Sequence, residues 1–161
     1  MASRHSPAST DVIVTNDTLC SLNGQECASL MGQCFEVLRP GGLLVLNVPA
    51  LKAFGGIHDL SVGIQHRFSR SDVLSLIDLR KFRVVRELYW PFLLSPLIYC
   101  VRLWQRMKMR LTRDFEIRSD IDLPSPWLNR ILGTIIQSED RWLRARPFGS
   151  SLFVVLKKNM Q

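Results

Sequence analysis

The sequence lacks a long apolar run. Crossing a bilayer takes about 20 consecutive apolar residues, whereas the most apolar stretch, 88–101, is short and is interrupted by Pro91 and Pro96. The chain also does not open with a basic segment followed by an apolar one, so no secretory signal is visible. We therefore expect a cytoplasmic protein without a transmembrane helix.

The four cysteines lack the spacing of a metal site. Cys20, Cys27, Cys34 and Cys100 form no C-x-x-C pair, and no histidine stands nearby at ligand spacing. We expect no bound metal and no disulfide framework. The four residues are interpreted as small, buried apolar side chains in a reducing compartment.

The composition indicates a folded domain with a basic surface. Hydrophobic residues make up 47% of the 161 positions and charged residues 22%, which is enough for a packed core. The net charge of +7 favours an anionic partner, such as a nucleic acid, a phospholipid surface or a phosphorylated substrate. No nucleic-acid-binding motif is recognised, so nucleic acid is the least expected of the three.

The stretch from Phe35 to Ala50 organises the chain. Its helical part ends before Pro40, Gly41 and Gly42 supply a permissive turn, and an apolar run of strand length follows at 43–48. Such a run is typical of a parallel strand buried on both faces in an α/β sheet. Upstream, 11–16 predicts a short strand and 23–38 an amphipathic helix.

These residues also carry a family resemblance. A helix ending in VLRPGG, then an apolar strand and VPA, resembles the fourth helix and fifth strand of class I S-adenosylmethionine-dependent methyltransferases. The loop at 49–71 is similar to the loop that these enzymes close with an H-x-R-[YF]-[ST] segment, for which this chain has QHRFS at 65–69. The resemblance runs from about Asp11 to Lys157.

The resemblance implies an α/β fold, a partial Rossmann-like sheet. Residues 11–161 would be the carboxyl-terminal part of the domain, with strands four to seven in the order fourth, fifth, seventh, sixth and the seventh antiparallel. A pair of helices, at about 91–146, would be inserted between the last two strands as a substrate cover. Residues 1–10 are expected to be disordered or loosely attached.

The family's glycine-rich cofactor turn and acidic ribose residue are not found in the sequence, which has only ten residues before Asp11. We therefore expect the chain to be incomplete on its own. Its strand at 11–16 would present an open edge to a second copy or to a partner chain.

The resemblance also implies a cofactor site for S-adenosylmethionine. It places Asn16, Asp17 and Thr18 at the carboxyl end of the fourth strand, where sheets of this kind bind ligands. The alternative is that these three residues only turn the chain and cap the next element.

Candidate catalytic residues lie in the long loop after the central strand. His66 is the candidate general base or substrate-orienting residue, with Asp59 and His58 as its partners. Arg67 and Pro49 are assigned to the substrate, Arg67 for an anionic group. The alternative is that His66 and Arg67 brace the loop through hydrogen bonds to backbone carbonyls.

The segment 90–113 combines an apolar stripe with basic residues at helical spacing. The stripe comprises Leu97, Val101, Trp104 and Leu111, and the basic residues are Arg102, Arg106, Arg110 and Arg113. This pattern is typical of a helix on a membrane surface. The alternative is a helix whose apolar stripe packs into the core and whose basic face is solvated.

Three functions follow. The first is methyl transfer from S-adenosylmethionine to a small-molecule acceptor that is lipid-linked or anionic. The second is a noncatalytic interaction module that pairs through the open strand edge. The third is a peripheral membrane-binding protein that uses 90–113.

Overall fold

A computed structural model of the chain describes residues 7–111 and 125–160. The strands are β1 (Thr10–Asn16), β2 (Leu38–Pro49), β3 (Phe82–Trp90) and β4 (Ser151–Lys158). The helices are α1 (Gly24–Val37), α2 (Ile57–Val62), α3 (Arg70–Ser75), α4 (Ser95–Leu111) and α5 (Pro126–Trp142). Within the described ranges, the longest helices are therefore the two that lie between β3 and β4.

The strands form one mixed sheet in the order β1-β2-β4-β3. β1 runs parallel to β2, and β4 lies antiparallel between β2 and β3. This is the predicted order of fourth, fifth, seventh and sixth strands, so the fold prediction is confirmed. The helical insertion also occupies its predicted place, since α4 and α5 separate β3 from β4.

The sheet begins one residue earlier than the sequence predicts. Thr10 is already part of β1, and the backbone N–H groups of Ala8 and Ser9 donate to the carbonyls of Glu36 (2.9 Å) and Val37 (3.0 Å). Residues 1–6 of the segment predicted to be loose lie outside the described residues.

The glycine pair forms a bulge within β2 instead of a turn before it. β2 starts at Leu38, and its pairing with β1 jumps from Thr10↔Leu38 to Val12↔Leu43. Gly41 has φ of +79°, a conformation that glycine adopts without strain. The prediction of a turn was wrong because the bulge keeps residues 38–42 within the sheet.

One face of the sheet carries the hydrophobic core. Alternate residues of β2 and β4 point to it and are buried together with residues of α1 and α3; they include Leu44, Leu46, Val48, Leu152, Val154, Leu156, Met31 and Val73. α1 begins with a capping box, in which Asn23 and Glu26 satisfy each other's backbone N–H groups. At its other end, Lys158 Nζ donates to the carbonyls of Phe35 (2.6 Å) and Leu38 (2.7 Å).

The outer edge of β1, and the part of the opposite sheet face that β1 contributes, are open within the described residues. Val12 and Val14 point to that face and are exposed, and β1 pairs only with β2 there. The predicted open edge at 11–16 is thus present in the part of the chain that the structure describes.

The cysteine prediction holds for three residues and is wrong for the fourth. Cys20, Cys27 and Cys34 are buried, whereas Cys100 is exposed on α4. Cys100 is exposed because α4 directs its apolar side outward.

The orientation of α4 also overturns the alternative that its apolar stripe packs into the core. All four residues of the stripe are exposed: Leu97, Val101, Trp104 and Leu111. Arg113 lies outside the described residues. No described helix is both long enough and apolar enough to span a membrane.

Candidate functional site

The carboxyl ends of β1 and β2 lie side by side. Asn16 pairs with Asn47 across the two strands, and the side-chain amide of Asn47 donates to the side-chain oxygen of Asn16. The backbone N–H of Asp17 donates to the carbonyl of Asn47 at 3.0 Å. The last residues of the two parallel strands are therefore joined, and the chain leaves the sheet from a fixed point.

Asp17, with Thr18, turns the chain directly after β1. Asp17 has φ of +51°, in the left-handed region that Asp tolerates better than most residues. Thr18 Oγ1 donates to the carbonyl of Asn16 at 3.3 Å. Cys20 Sγ donates to the backbone carbonyl of Asp17 at 2.8 Å. Burial, followed by the nearby Asp17 carboxylate, raises the pKa of the Cys20 thiol. The segment thus turns the chain, as the alternative to a cofactor-binding role predicted. Asp17 also faces a cavity.

That cavity, here called the strand-end cavity, has a volume of about 250 Å³. Its lining comes from the ends of β1 and β2, the start of β4, the loop after β2 and the inner side of α4: Asp17, Pro49, Phe54, Ile64, Arg67, Ile98, Arg102, Ser150 and Ser151. Three predicted site residues, Asp17, Pro49 and Arg67, therefore meet here. α4 forms one wall of the cavity.

Arg67 is held from several sides. Its Nε and Nη2 donate to the two carboxylate oxygens of Asp59, both at 2.7 Å. Its Nη1 donates to the carbonyls of Ala50 (2.9 Å) and Ser150 (3.3 Å). The side chains of Arg67 and Asp59 are only 9% and 13% exposed. This geometry matches the alternative in which Arg67 braces the loop.

His66 lies beside a neighbouring cavity of about 340 Å³, here called the loop cavity. The loop cavity is lined by Lys52, Gly55, Asp59, Ile64, Gln65, His66 and Arg67, so it shares Arg67 and Ile64 with the strand-end cavity. His66 is exposed, and its backbone N–H donates to the carbonyl of Cys20 at 3.2 Å. The structure thus brings His66 and Asp59 to one cavity, with the Asp59 carboxylate bound to Arg67. His58 belongs to α2, and its side chain lies outside the described atoms.

Sequence reasoning placed no residue of α4 at the site: Ile98 was not singled out, and Arg102 was assigned to the basic face of the helix. Ile98 and Arg102 line the strand-end cavity, and Arg102 Nη1 donates to Gln105 Oε1 at 2.8 Å. The Arg102 stem packs against the loop at Gly56, where an added Cβ would lie 2.7 Å from Arg102 Cδ. A glycine-rich loop facing a helix was the only local signal of this contact.

Among residues 7–111 and 125–160 no group of three or more His, Cys, Asp or Glu side chains could hold a metal ion. The polar side chains at the two cavities include two carboxylates, an exposed imidazole, a lysine and two arginines, together with a glutamine and two serines. Such groups can bind an anion or accept a proton from a bound molecule.

No family model and no curated protein matches the sequence. Solved structures do match the fold. One is a methyltransferase structure from Haloferax volcanii in complex with the Trm112 methyltransferase activator (15% identity, TM-score 0.52, 99% of this chain and 58% of that chain). Another is the [4+2]-cyclase SpnF (10% identity, TM-score 0.51, 99% and 53%), and a third an S-adenosylmethionine-dependent methyltransferase from Mesorhizobium loti (11% identity, TM-score 0.50, 97% and 65%).

The chain spans less than two thirds of each of these three neighbours. At 10–15% identity the likeness concerns the fold, and one of the neighbours is a cyclase, so the reaction does not follow from it. The strand order, the inserted helices and these neighbours agree with one another. The described residues therefore form part of a class I S-adenosylmethionine-dependent methyltransferase fold.

Proposed function

We propose that the protein is a methyltransferase that uses S-adenosylmethionine to methylate a small-molecule acceptor. The observation that carries this proposal is the strand-end cavity. It opens where the carboxyl ends of the parallel strands β1 and β2 meet, which is where α/β sheets bind their ligands.

The polar groups at these strand ends suit the cofactor. S-adenosylmethionine offers an ammonium group, two ribose hydroxyls and an adenine amine as hydrogen-bond donors, and the proposed binding residues Asn16, Asp17 and Thr18 offer acceptors. Asn47 Oδ1 supports the assignment, because it is buried without a hydrogen-bond partner among the described atoms. A buried acceptor of this kind gains from a ligand donor.

The small size of the cavity supports the proposal that these residues form one part of the cofactor site. Pockets for drug-sized ligands measure about 300 to 1,000 Å³, and the strand-end cavity is smaller. The proposal therefore assigns the remainder of the site to a complementing segment or chain.

The cofactor, when bound, supplies an electrophilic methyl group. The chain's task is to hold the acceptor in line with that group and to remove the proton that the acceptor loses. We assign the proton to an imidazole nitrogen of His66, with Asp59 and His58 as its neighbours. Pro49 shapes the acceptor site, and Arg67, while bracing the loop, adds positive charge to both cavities.

An anionic or lipid-linked acceptor fits the charge around the cavities. Arg67 and Arg102 line the strand-end cavity, and Lys52 joins Arg67 at the loop cavity. Asp59 lines the loop cavity and is in an ion pair with Arg67. Asp17 is the one acidic residue among those given above for the strand-end lining. The positively charged side chains around the two cavities favour the binding of phosphate or carboxylate groups.

The first experiment is calorimetric titration of the purified chain with S-adenosylhomocysteine, with circular dichroism to verify folding. Asp17→Asn keeps the left-handed backbone geometry and removes only the charge, so it is expected to weaken binding about tenfold. Asp11→Asn is the matched control, since Asp11 lies at the opposite end of β1 in an exposed ion pair with Arg39. A folded chain that takes up no S-adenosylhomocysteine would refute cofactor binding by this chain.

The second candidate function is a noncatalytic interaction module. The open edge of β1 and the exposed Val12 and Val14 favour it, because an unpaired apolar strand is a template for another strand. Sedimentation velocity separates the candidates: a folded chain that self-associates through β1 and ignores S-adenosylhomocysteine would support the module.

A further inference from the structure

α4 presents its apolar side to solvent. Six apolar side chains on the outer half of the helix are 41% to 84% exposed: Leu97, Val101, Leu103, Trp104, Met107 and Leu111. At 100° per residue these positions form one continuous face, here called the outer face of α4. A helix of a soluble domain ordinarily turns such a face toward the core.

The polar side of α4 is the side that packs on the protein. Gln105 is only 7% exposed, and Arg102 lies over the loop at Gly56 while donating to Gln105. Tyr99 packs edge-on against Phe54 with ring centroids 6.2 Å apart. Rotating the helix to bury its apolar side would break these contacts, so packing fixes the outer face outward.

The charge of α4 selects among the surfaces that could cover the outer face. The helix contains no acidic residue. Of its basic residues, Arg102 faces the strand-end cavity and Arg106 has a buried Nε. Lys108 lies on the outer face itself, with Nζ 5.3 Å from the centroid of the Trp104 ring. Stacking two copies through this face would bring like charges together, whereas an anionic surface would neutralise them.

We propose that the outer face of α4 binds the surface of an anionic lipid bilayer. The 17-residue helix would lie parallel to the membrane, with its apolar side chains inserted about 5 to 10 Å into the headgroup region and Lys108 near the lipid phosphates. Trp104 suits that boundary, since its ring is apolar and its indole N–H is polar. This membrane contact does not depend on methyl transfer, because no residue of the outer face lines the strand-end cavity.

Cys100 permits a direct test. It is exposed and lies on the outer face between Leu97 and Trp104, whereas burial raises the thiol pKa values of Cys20, Cys27 and Cys34. A maleimide carrying an environment-sensitive fluorophore should therefore label Cys100 selectively. Its emission is expected to shift to the blue on vesicles of equimolar phosphatidylcholine and phosphatidylserine, to respond little to pure phosphatidylcholine, and to lose the shift as salt rises.

Cosedimentation of the unlabelled chain with the same vesicles measures the contribution of single residues. Trp104→Ala is expected to lower the affinity about tenfold by removing inserted apolar area. Trp142→Ala removes an exposed tryptophan from α5 and is expected to leave binding unchanged. Lys108→Gln is expected to lower the affinity for the mixed vesicles about fivefold.

Three results would overturn the proposal. A folded chain that does not sediment with the mixed vesicles has no such surface. Equal losses for Trp104→Ala and Trp142→Ala would place the contact elsewhere. A dimer that Trp104→Glu dissociates, without vesicle binding by the parent chain, would assign the outer face to a second copy.

Discussion

Arg67 and Asp59 form an almost fully buried, two-bonded ion pair. Through Arg67 it joins α2 to Ala50, which follows β2, and to Ser150, which precedes β4. Removing one partner leaves the other charge buried without compensation, so we expect Arg67→Met to lower the free energy of unfolding by about 3 to 5 kcal/mol. Urea denaturation followed by circular dichroism measures this value.

A surface ion pair supplies the control for this prediction. Arg70 and Glu87 are bonded at 2.5 Å, but their side chains are 58% and 31% exposed. Arg70→Met is expected to cost less than about 1 kcal/mol, because solvent screens such a pair. Equal costs for the two variants would show that Arg67 does not brace the loops.

The cysteines should differ in reactivity. Burial is the leading cause that raises the pKa values of Cys20, Cys27 and Cys34, and the thiolate is the reactive form, whereas Cys100 is exposed. We expect one thiol to react quickly with a disulfide reagent in the native protein near pH 8 and all four to react in denaturant. With Cys100→Ser, the fast reaction should disappear; its persistence would mean that a buried cysteine opens readily.

At the level of residues, the sequence was sufficient to predict the site residues at the strand ends. It was not sufficient to predict the site residues that α4 contributes. Asp17 and Pro49 follow apolar strands, so their place at the edge of a parallel sheet can be inferred from order alone. Ile98 and Arg102 reach the cavity because α4 packs on a glycine loop more than forty positions earlier. The glycine content of the loop does not identify which helix packs on it.

Among the helices, α5 is anchored by one buried carboxylate. Glu139 is fully buried, and its oxygens accept the backbone N–H groups of Phe92 (2.8 and 2.9 Å) and Leu93 (2.8 Å). Arg146 Nη1 lies 3.3 Å from Glu139 Oε1. The contact joins the end of α5 to the segment that enters α4, so it holds the insertion closed at its base.

We expect Glu139→Gln to loosen the insertion while leaving the sheet intact. The variant keeps the side-chain shape but loses the charge, at a cost of about 3 kcal/mol. Hydrogen exchange should become faster in α4 and α5 and stay unchanged in β2 and β4. Asp140→Asn is the control, since Asp140 is mostly exposed and also contacts Arg146. Similar exchange in both variants would refute the anchoring role of Glu139.

Helix α4 shows what periodicity can and cannot decide. The spacing of apolar and basic residues predicted an amphipathic helix, and that helix is present. The periodicity shows only that the helix has an apolar face and a polar face. The packing of Gln105 and Arg102 against the loop decides which face turns inward. The expectation that apolar faces are core faces failed here for that reason.

The whole molecule has a strand edge and, at β1, an apolar part of the sheet face that the described residues leave open. Val14→Lys places a charge on that face at a site that is already 65% exposed, so it should change stability by less than about 0.5 kcal/mol. It is expected to reduce self-association in sedimentation velocity. Leu79→Lys, at an exposed position outside the sheet, is the control. If the parent chain is monomeric at all concentrations, this face does not pair copies of the chain.

The global topology was more predictable than the site. Apolar runs separated by helical periods predict strands, and the family resemblance supplied their order, which the structure confirms. The geometry of Arg67, Asp59 and Glu139 depends on side chains from distant segments that meet only after packing.

The position of β4 has a consequence for how the protein is made. β4 lies between β2 and β3 in the sheet, yet the ribosome synthesises it after both of them. Until residues 151–158 emerge, β3 has no neighbouring strand to pair with, and β2 exposes one edge. Before β4 is made, the nascent chain therefore holds one unpaired strand, β3, and one strand, β2, that is paired only with β1. A chaperone that shields apolar segments should bind the nascent chain until synthesis of β4 completes the sheet.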